Sequence, residues 1–469
     1  MKTRTLFEGA MFFCWTVLVF FMLSIGIRFL TRQILVEKLG WDNVFTELVF
    51  WGDGQMSIEK GNDEEESEGF VYIDWKERYP FQNTQMENDK TENNRTSFLS
   101  IYRGLIASVE DKITTYSEDM LFGHYIMTTA AKKYNLTIGN PKIQTGGGDI
   151  IILNNGYLTY EEELVEEESI DALADSVADF SAFLKKKGIG YIYANAGSKV
   201  CPYDKELPYG AIEHTNENGD RLVKALRKRD ISVLDFREYM ERDGLDWYAS
   251  YYITDHHWKN STGLWAAGVL ADVLNTHYGF SFDKAYFEPD SYKTETYEDY
   301  FLGGQGRALT FAEAEIEPFE KILPRFETQF SIQIPTKNLD RAGDYGHTLF
   351  DEEAFEAIAD YSENDFLKER DAYGCTVWRN DALGTIQNHR AEDNQGKRIL
   401  MLQDSFGWYL STYLATDVPH IDLINMTGFD GSIRSYIEKT KPDVVVMLLC
   451  ERNIRPIDWT AHQDYFDLR

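Results

Sequence analysis

Three short apolar runs, set among amphipathic helical stretches, hold this chain to a parallel α/β sheet. They span 189–194, 398–402 and 444–449. Strands covered on both faces read as unbroken apolar runs rather than as alternation. Before the first run, residues 171–187 put Leu173, Val177, Phe180 and Leu184 on one helical face, and Gly188 follows as a stop. A helix over about 219–229 and a strand over 231–236 come next. Strand, helix, strand is the order of a parallel crossover unit. A helix over 261–275 follows, with Asn260 or Ser261 as its N-cap. After the second run the pattern predicts a helix over 407–415, a strand over 420–424 and a helix over 432–439. Residues 281–392 read as a largely irregular insertion, with one alternating strand at 328–334, between two halves of the sheet.

The N-terminal part obeys a different pattern. Residues 10–27 carry no charge, long enough for a transmembrane helix. Lys2 and Arg4 precede it, which favours a cytoplasmic N-terminus, although Arg28, Arg32 and Lys38 follow. A cleaved signal peptide is the competing reading, but no A-x-A pattern precedes Trp41. Residues 1–35 are therefore expected to be a membrane anchor of a single-pass protein. Residues 36–165 would be an extracytoplasmic stalk and helical arm, with a helix over 97–134 and a short strand over 156–160. Residues 166–469 would be the α/β domain.

Composition limits the function. With 43% apolar and 27% charged residues the chain is globular in character. Its net charge of −31 repels nucleic-acid phosphates, so no nucleic acid partner is expected. Runs such as Asp63 to Glu66 and Glu166 to Glu168 are solvated surface. The cysteines are Cys14, Cys201, Cys375 and Cys450, and their spacing defines neither a disulfide framework nor a metal motif. A Cys201–Cys375 bridge is compatible with an oxidising compartment but not required.

Two short segments carry chemistry. Ser405 follows an apolar strand and precedes a helix, where an α/β fold displays a nucleophile and helix N–H groups face a developing oxyanion. A helix N-cap at Ser405 or Asp404 is the plain structural alternative. Asp255-His-His-Trp258 precedes another helix. A serine needs a base, and the base needs an acid to orient it. Asp255 and His257 are two apart, so in an extended loop they point the same way, and His256 is left as a structural residue. Trp258 would pack on the helix that follows. Asp255, His256, His257 and Asp404 also suit a zinc or manganese site, the rival reading, although no strong metal spacing is present. At the end of the last strand, Arg452 and Asn453 are candidates to face an acyl oxygen or a sugar, with an Arg–Glu surface pair as the alternative. Tyr251, Tyr252 and Trp408 are either sugar-stacking or core aromatics.

Residues about 172–453 resemble the DHHW family and, more broadly, the AlgJ/AlgX-type polysaccharide O-acetylation proteins. Four features carry the resemblance: Lys186-Lys-Gly-Ile-Gly-Tyr-Ile-Tyr, Ile253-Thr-Asp-His-His-Trp-Lys259, Arg398-Ile-Leu-Met-Leu-Gln-Asp-Ser-Phe406 and Lys441-Pro-Asp-Val-Val-Val446. It implies a permuted SGNH hydrolase-like (flavodoxin-like) fold, with Asp255 and His257 as the Asp-x-His pair and Ser405 as the nucleophile. The family's Gly-Asp-Ser is Gln403-Asp-Ser405 here. The implied activity is O-acetyl transfer from an acyl donor to a polysaccharide, or ester hydrolysis, with no cofactor and no catalytic metal. A membrane-bound O-acyltransferase partner is also implied. A non-catalytic glycan- or partner-binding protein on the same fold, or a metal-dependent hydrolase, are the other readings.

Overall fold

The computed structural model describes residues 132–135, 137, 139–145, 148–309, 316–359, 371–376, 382–391, 394–457, 465–466 and 468. The expected anchor, the acidic arm and nearly all of the helix expected over 97–134 lie outside the described residues. Among the described residues, no helix is long and apolar enough to cross a membrane.

A small antiparallel sheet comes first: β1 (Lys142–Ile143), β2 (Ile150–Ile152) and β3 (Leu158–Tyr160). The regular α/β part then runs α1 (Glu167–Lys186), β4 (Gly190–Ala196), α2 (Thr215–Arg227), β5 (Val233–Asp235), α3 (Phe236–Asp243) and α4 (Asn260–Tyr278). The hairpin of β6 (Tyr292–Phe301) and β7 (Glu317–Pro324) follows, with the short α5 (Gly304–Leu309) between its strands. Next come β8 (Phe330–Ile334), β9 (Leu339–Gly343), α6 (Tyr345–Thr348), α7 (Glu352–Ala359) and β10 (Leu383–Asn388). The chain closes with β11 (Arg398–Gln403), α8 (Gly407–Leu414), β12 (His420–Asn425), α9 (Ile433–Thr440) and β13 (Val444–Cys450).

Eight of these strands form one sheet in the order β5-β4-β13-β11-β12-β10-β8-β9. From β5 to β12 every pairing is parallel, and from β12 to β9 every pairing is antiparallel. This mixed α/β layout with a mostly parallel sheet is consistent with an SGNH-like fold. The segment expected as an irregular insertion therefore does something else: β8, β9 and β10 extend the main sheet. β8 is the alternating strand expected at 328–334, and β9 pairs back on it as a hairpin. β10 is held between β8 and β12, distant neighbours that a local pattern does not reveal.

The central strands partition by the two-residue period. Val444, Val446 and Leu448 of β13 enter one core with α4 and α8, while Val445, Met447 and Leu449 enter a second core with α1, α2 and α9. The predicted face of α1 is buried, and Gly188 (φ 72°) ends the helix in the left-handed region, where the missing Cβ removes the steric penalty. At the start of α4 the N-cap is Lys259 rather than Asn260 or Ser261, and Asn260 instead donates to the Glu320 carbonyl of β7. Cys201 and Cys375 are not bridged to each other among the described residues, so the disulfide that the sequence allowed is not formed.

β12 and β13 lie on opposite sides of β11. The chain direction across the sheet therefore reverses at the carboxyl end of β11, which makes the cleft where α/β sheets place their ligands. Ser405 is two residues past that end.

Candidate active site

The turn that carries Ser405 is built around Asp404. One carboxylate oxygen accepts the Phe406 N–H at 2.9 Å. The other accepts the Cys450 N–H and the Asn453 amide N–H, both at 2.7 Å. Asp404 is thus spent on tying the β11 turn to the end of β13, and burial raises its pKa against those donors. Gln403 stands where the family it resembles has glycine, and the turn accommodates it. Its side-chain oxygen accepts the Ser411 hydroxyl at 2.5 Å, and Gly407 leaves the room it occupies. The Ser405 N–H has no hydrogen-bond partner among the described residues and sits just before the first turn of α8.

The Asp255–His257 segment is bent, not extended as the spacing suggested. Asp255 Oδ1 accepts the His257 N–H at 3.0 Å and also contacts the His257 ring Nδ1. That is an Asx-type turn, in which an aspartate closes on the residue two ahead. Asp255 Oδ2 accepts the Gly304 N–H at 2.8 Å. Burial pushes the Asp255 pKa up, but the two histidines, the His257 hydrogen bond and the Gly304 N–H outweigh it. The carboxyl is held well below its ordinary value.

With Nδ1 protonated toward Asp255, His257 Nε2 is free to accept a proton. It lies 2.5 Å from Ser405 Oγ. Tyr373 stacks on the imidazole at 4.2 Å between centroids and donates its hydroxyl to the Ser405 carbonyl. Trp258 packs against Phe236, a residue of α3, and its indole N–H also donates to the Phe406 carbonyl at 3.1 Å. This joins the base turn directly to the nucleophile turn. Trp408 is buried beside Tyr373 and His257, while Tyr251 donates to the Gly197 carbonyl, so both are framework aromatics.

The structure thus brings Ser405, His257 and Asp255 together, 148 residues apart in chain between base and nucleophile. The other expected residues divide. Tyr252 is 1% exposed among Phe301, Phe319 and Tyr373, so it is a core residue and not a sugar contact. Asn453 reaches Asp404 rather than the open cleft. Arg452 pairs with Glu162 and lies over the Tyr160 ring, 3.6 Å from its centroid. It borders a cavity of about 30 Å³ lined also by Tyr160, Glu162, Thr215, His256 and Phe406, enough for a water-sized group. His256 is half-buried, and its Nδ1, 3.5 Å from Asp255 Oδ1, has no hydrogen-bond partner among the described residues. Burial, with His257, Arg452 and Lys199 nearby, holds His256 well below its ordinary pKa, so it is neutral.

A metal would compete for the same atoms. Ligand atoms of Asp255, His256 and His257 lie within 4.8 Å of one another. Both ring nitrogens of His257 are already engaged, and Asp404, the fourth expected ligand, is fully used in its own turn.

Several residues around the site belong to no recognisable sequence motif. Lys199 Nζ donates to the carbonyls of Tyr252, Ile253 and Asp255, and Glu317 accepts the N–H groups of Ile253 and Thr254. Burial lowers the Lys199 pKa and raises that of Glu317. Gly303 lies against Asp255, and a Cβ there would come within 2.2 Å of the aspartate Cβ. The run Leu302-Gly-Gly-Gln-Gly306 was a legible sign of close backbone approach, but it sat inside the segment read as irregular.

Residues 154–358 match the family described as SGNH hydrolase-like domain, acetyltransferase AlgX. The resemblance is to AlgX-type acetyltransferase domains. The matched stretch includes Asp255 and His257 and ends before Ser405. No curated protein matches the chain. Bacillus cereus PatB1, solved with a sulfonyl adduct, superposes with a TM-score of 0.54 at 15% identity, covering 68% of this chain and 99% of that one. A DHHW family protein from Eubacterium siraeum gives 0.47 at 16% identity, over 67% and 93% of the two chains. The O-acetyltransferase domain of Pseudomonas putida AlgJ gives 0.40 at 14%, over 68% and 99%. At such identities the PatB1 likeness speaks to the fold, and the AlgX-like assignment rests on the family match.

Proposed function

We propose that this AlgX-like chain is a serine O-acyltransferase that moves an acyl group, an acetyl by resemblance, onto a hydroxyl of a cell-surface or exported polysaccharide. With water as acceptor it is an acetylesterase. The observation that carries the reading is the unbroken Asp255–His257–Ser405 hydrogen-bond chain at the sheet's switch point.

His257 Nε2 takes the Ser405 proton as Oγ attacks the acyl carbonyl carbon. Asp255, kept ionised by its partners, stabilises the imidazolium that forms. The Ser405 N–H, just before α8 and without a hydrogen-bond partner among the described residues, is the donor for the oxyanion. The donor's leaving group departs with the proton from His257. An acceptor hydroxyl then gives its proton to His257 and attacks the acyl-enzyme, and Ser405 Oγ regains a proton as it leaves. In the same proposal residues 1–35 anchor the chain, the bulk lies outside the cytoplasm, and a membrane-bound O-acyltransferase supplies the acyl group.

The test is release of p-nitrophenol from p-nitrophenyl acetate by the full-length chain, repeated with an oligosaccharide acceptor and mass spectrometry of the product. Ser405→Ala and His257→Ala should fall to background. Asp255→Asn should lose on the order of 10³–10⁴-fold by leaving the imidazole in the wrong tautomer. A mass gain of one acetyl on the oligosaccharide marks a transferase, and acetate alone an esterase. Ser405→Ala as active as wild type would end the serine mechanism.

A further inference from the structure

A buried pair of opposite charge lies behind the Asp255–His257 turn, and the acyl-transfer chemistry makes no call on it. Lys199 comes from the loop just past β4 and Glu317 opens β7. They are 3% and 5% exposed. Among the described residues they form no ion pair with each other; the backbone of residues 252–255 is what both of them hold.

The pattern of contacts is specific. Lys199 Nζ donates to the Tyr252 carbonyl at 3.0 Å, the Ile253 carbonyl at 3.1 Å, the Asp255 carbonyl at 2.6 Å and Gln305 Oε1 at 3.0 Å. Glu317 accepts the Ile253 N–H at 2.8 Å, and the Thr254 N–H at 2.7 Å and hydroxyl at 2.5 Å. In a trans peptide the carbonyl and the N–H point to opposite sides. The peptide groups 252–253 and 253–254 therefore each have the ammonium on one side and the carboxylate on the other. Successive carbonyls alternate in an extended segment. Here two face the same way. Backbone pairing supplies part of what the turn needs, the Leu158 N–H of β3 donating to the Ile253 carbonyl at 3.1 Å and the Tyr252 N–H to the His257 carbonyl at 3.2 Å, and charge-assisted hydrogen bonds supply the rest.

The rest of the frame comes from the segment that opens α5. The Gly303 N–H donates to Thr254 Oγ1 at 3.0 Å, the Gly304 N–H to Asp255 Oδ2 at 2.8 Å, and the Gly306 N–H to the Thr254 carbonyl at 2.8 Å. With Oδ2 held, Oδ1 is left to orient His257.

We infer that Lys199 and Glu317 are positioning residues that clamp the Asp255–His257 turn from its two sides and so set the reach of His257 toward Ser405. The inference rests on the proposed acyl-transfer reading and adds to it the device that holds the base. Lys199 also borders the small cavity beside Arg452, but the four oxygens that its Nζ reaches all belong to the turn and to Gln305, so its ammonium is engaged there.

Two variants of the full-length chain test it, Lys199→Met and Glu317→Gln, the second nearly isosteric. Ser405 reactivity is read as the rate constant for labelling by a sulfonyl fluoride, normalised to folded protein by thermal melt. Asp255–His257 geometry is read from the downfield imidazole N–H proton in the NMR spectrum. Labelling should slow roughly 10- to 100-fold in Lys199→Met and less in Glu317→Gln, as small misplacements of a reacting group do. The downfield proton should broaden or disappear, and KM for the acyl donor should stay within about twofold while kcat falls. A merely structural role would lower the melting temperature and leave the labelling rate and the proton signal of the folded fraction unchanged, and that result overturns the clamp. If Lys199→Met does not fold, Glu317→Gln decides alone by the same criteria. The proton signal reports the turn whether or not Ser405 is the nucleophile, so failure of the clamp and failure of the acyl-transfer reading are seen separately.

Discussion

A tyrosine beside a catalytic pair invites a reading as a sugar platform, but Tyr252 is sealed under the Asp255–His257 turn. Its ring lies 4.4 Å from Phe301 and nearly parallel to Phe319, and its hydroxyl has no hydrogen-bond partner among the described residues. A buried hydroxyl without a partner costs about 1–3 kcal/mol. Tyr252→Phe should therefore leave the melting temperature unchanged or raise it slightly, with KM for an oligosaccharide acceptor unaltered. A several-fold rise in that KM would restore Tyr252 to the binding surface. The contrast with Ser405, Asp255 and His257 is instructive. Their convergence was legible because the residue types that suit a proposed acid, base and nucleophile are few, and these three lie just before or just after regular elements. Lys199 and Glu317 were not, because a single lysine and a single glutamate have no signature until the peptide groups they hold are seen. The aromatic residues were ambiguous for the same reason: exposure, not identity, decides their role.

At the scale of elements, the strand–turn–helix unit of β11 and α8 shows how a departure from a motif is absorbed. Gln403 turns its side chain toward α8, and a Cβ on Gly407 would stand 2.3 Å from its Oε1. The glycine that the motif lacks before Asp404 is in effect replaced by one after Ser405. Gly407→Ala should destabilise the protein by about 1–3 kcal/mol through this overlap and slow Ser405 labelling as the turn shifts. Gln403→Ala in the same chain should recover much of both losses, a coupling that a double-mutant cycle in urea would measure. Additive effects of the two substitutions would mean that the pair is not in contact. The parallel part of the sheet was legible at this scale because each of its strands is buried on both faces, as β13 is along all seven residues. Of the antiparallel edge only the alternating β8 was legible. β9 buries no residue fully, and β10 alternates buried with half-exposed or exposed positions. β10 owes its state to β8 and β12, well away along the chain, so local periodicity understates it.

The whole molecule carries a net charge of −31, and three of its acidic side chains converge on one buried arginine. Arg237 bridges Asp235, Asp220 and Glu451, which come from β5 or its boundary, α2 and the segment after β13. Asn195 of β4 and the Ser198 N–H also hold Glu451. This cluster thus ties the carboxyl ends of three neighbouring strands next to the cleft. Glu451 is 1% exposed. Burial raises its pKa from an ordinary 4.5 to about 7, with Arg237 pulling the other way. A carboxyl whose pKa is higher in the folded state binds its proton more tightly there than in the unfolded chain. Its stabilising contribution is complete below the ordinary value and is lost as pH rises through about 7. The size of that loss is on the order of 3 kcal/mol. Asp255 works the opposite way. Its pKa is depressed, so its contribution is present above the ordinary carboxylate value and is lost only as pH falls well below it. The two therefore act in separate pH windows. Glu451→Gln removes the upper one while keeping the side chain's shape. Urea melts of wild type and variant at steps from pH 4.5 to 8 should show the wild type's advantage shrinking as pH rises, with most of the change between pH 5 and 7.5. A difference between the two proteins that is flat across this range would mean that Glu451 is ionised throughout, its burial fully offset by Arg237.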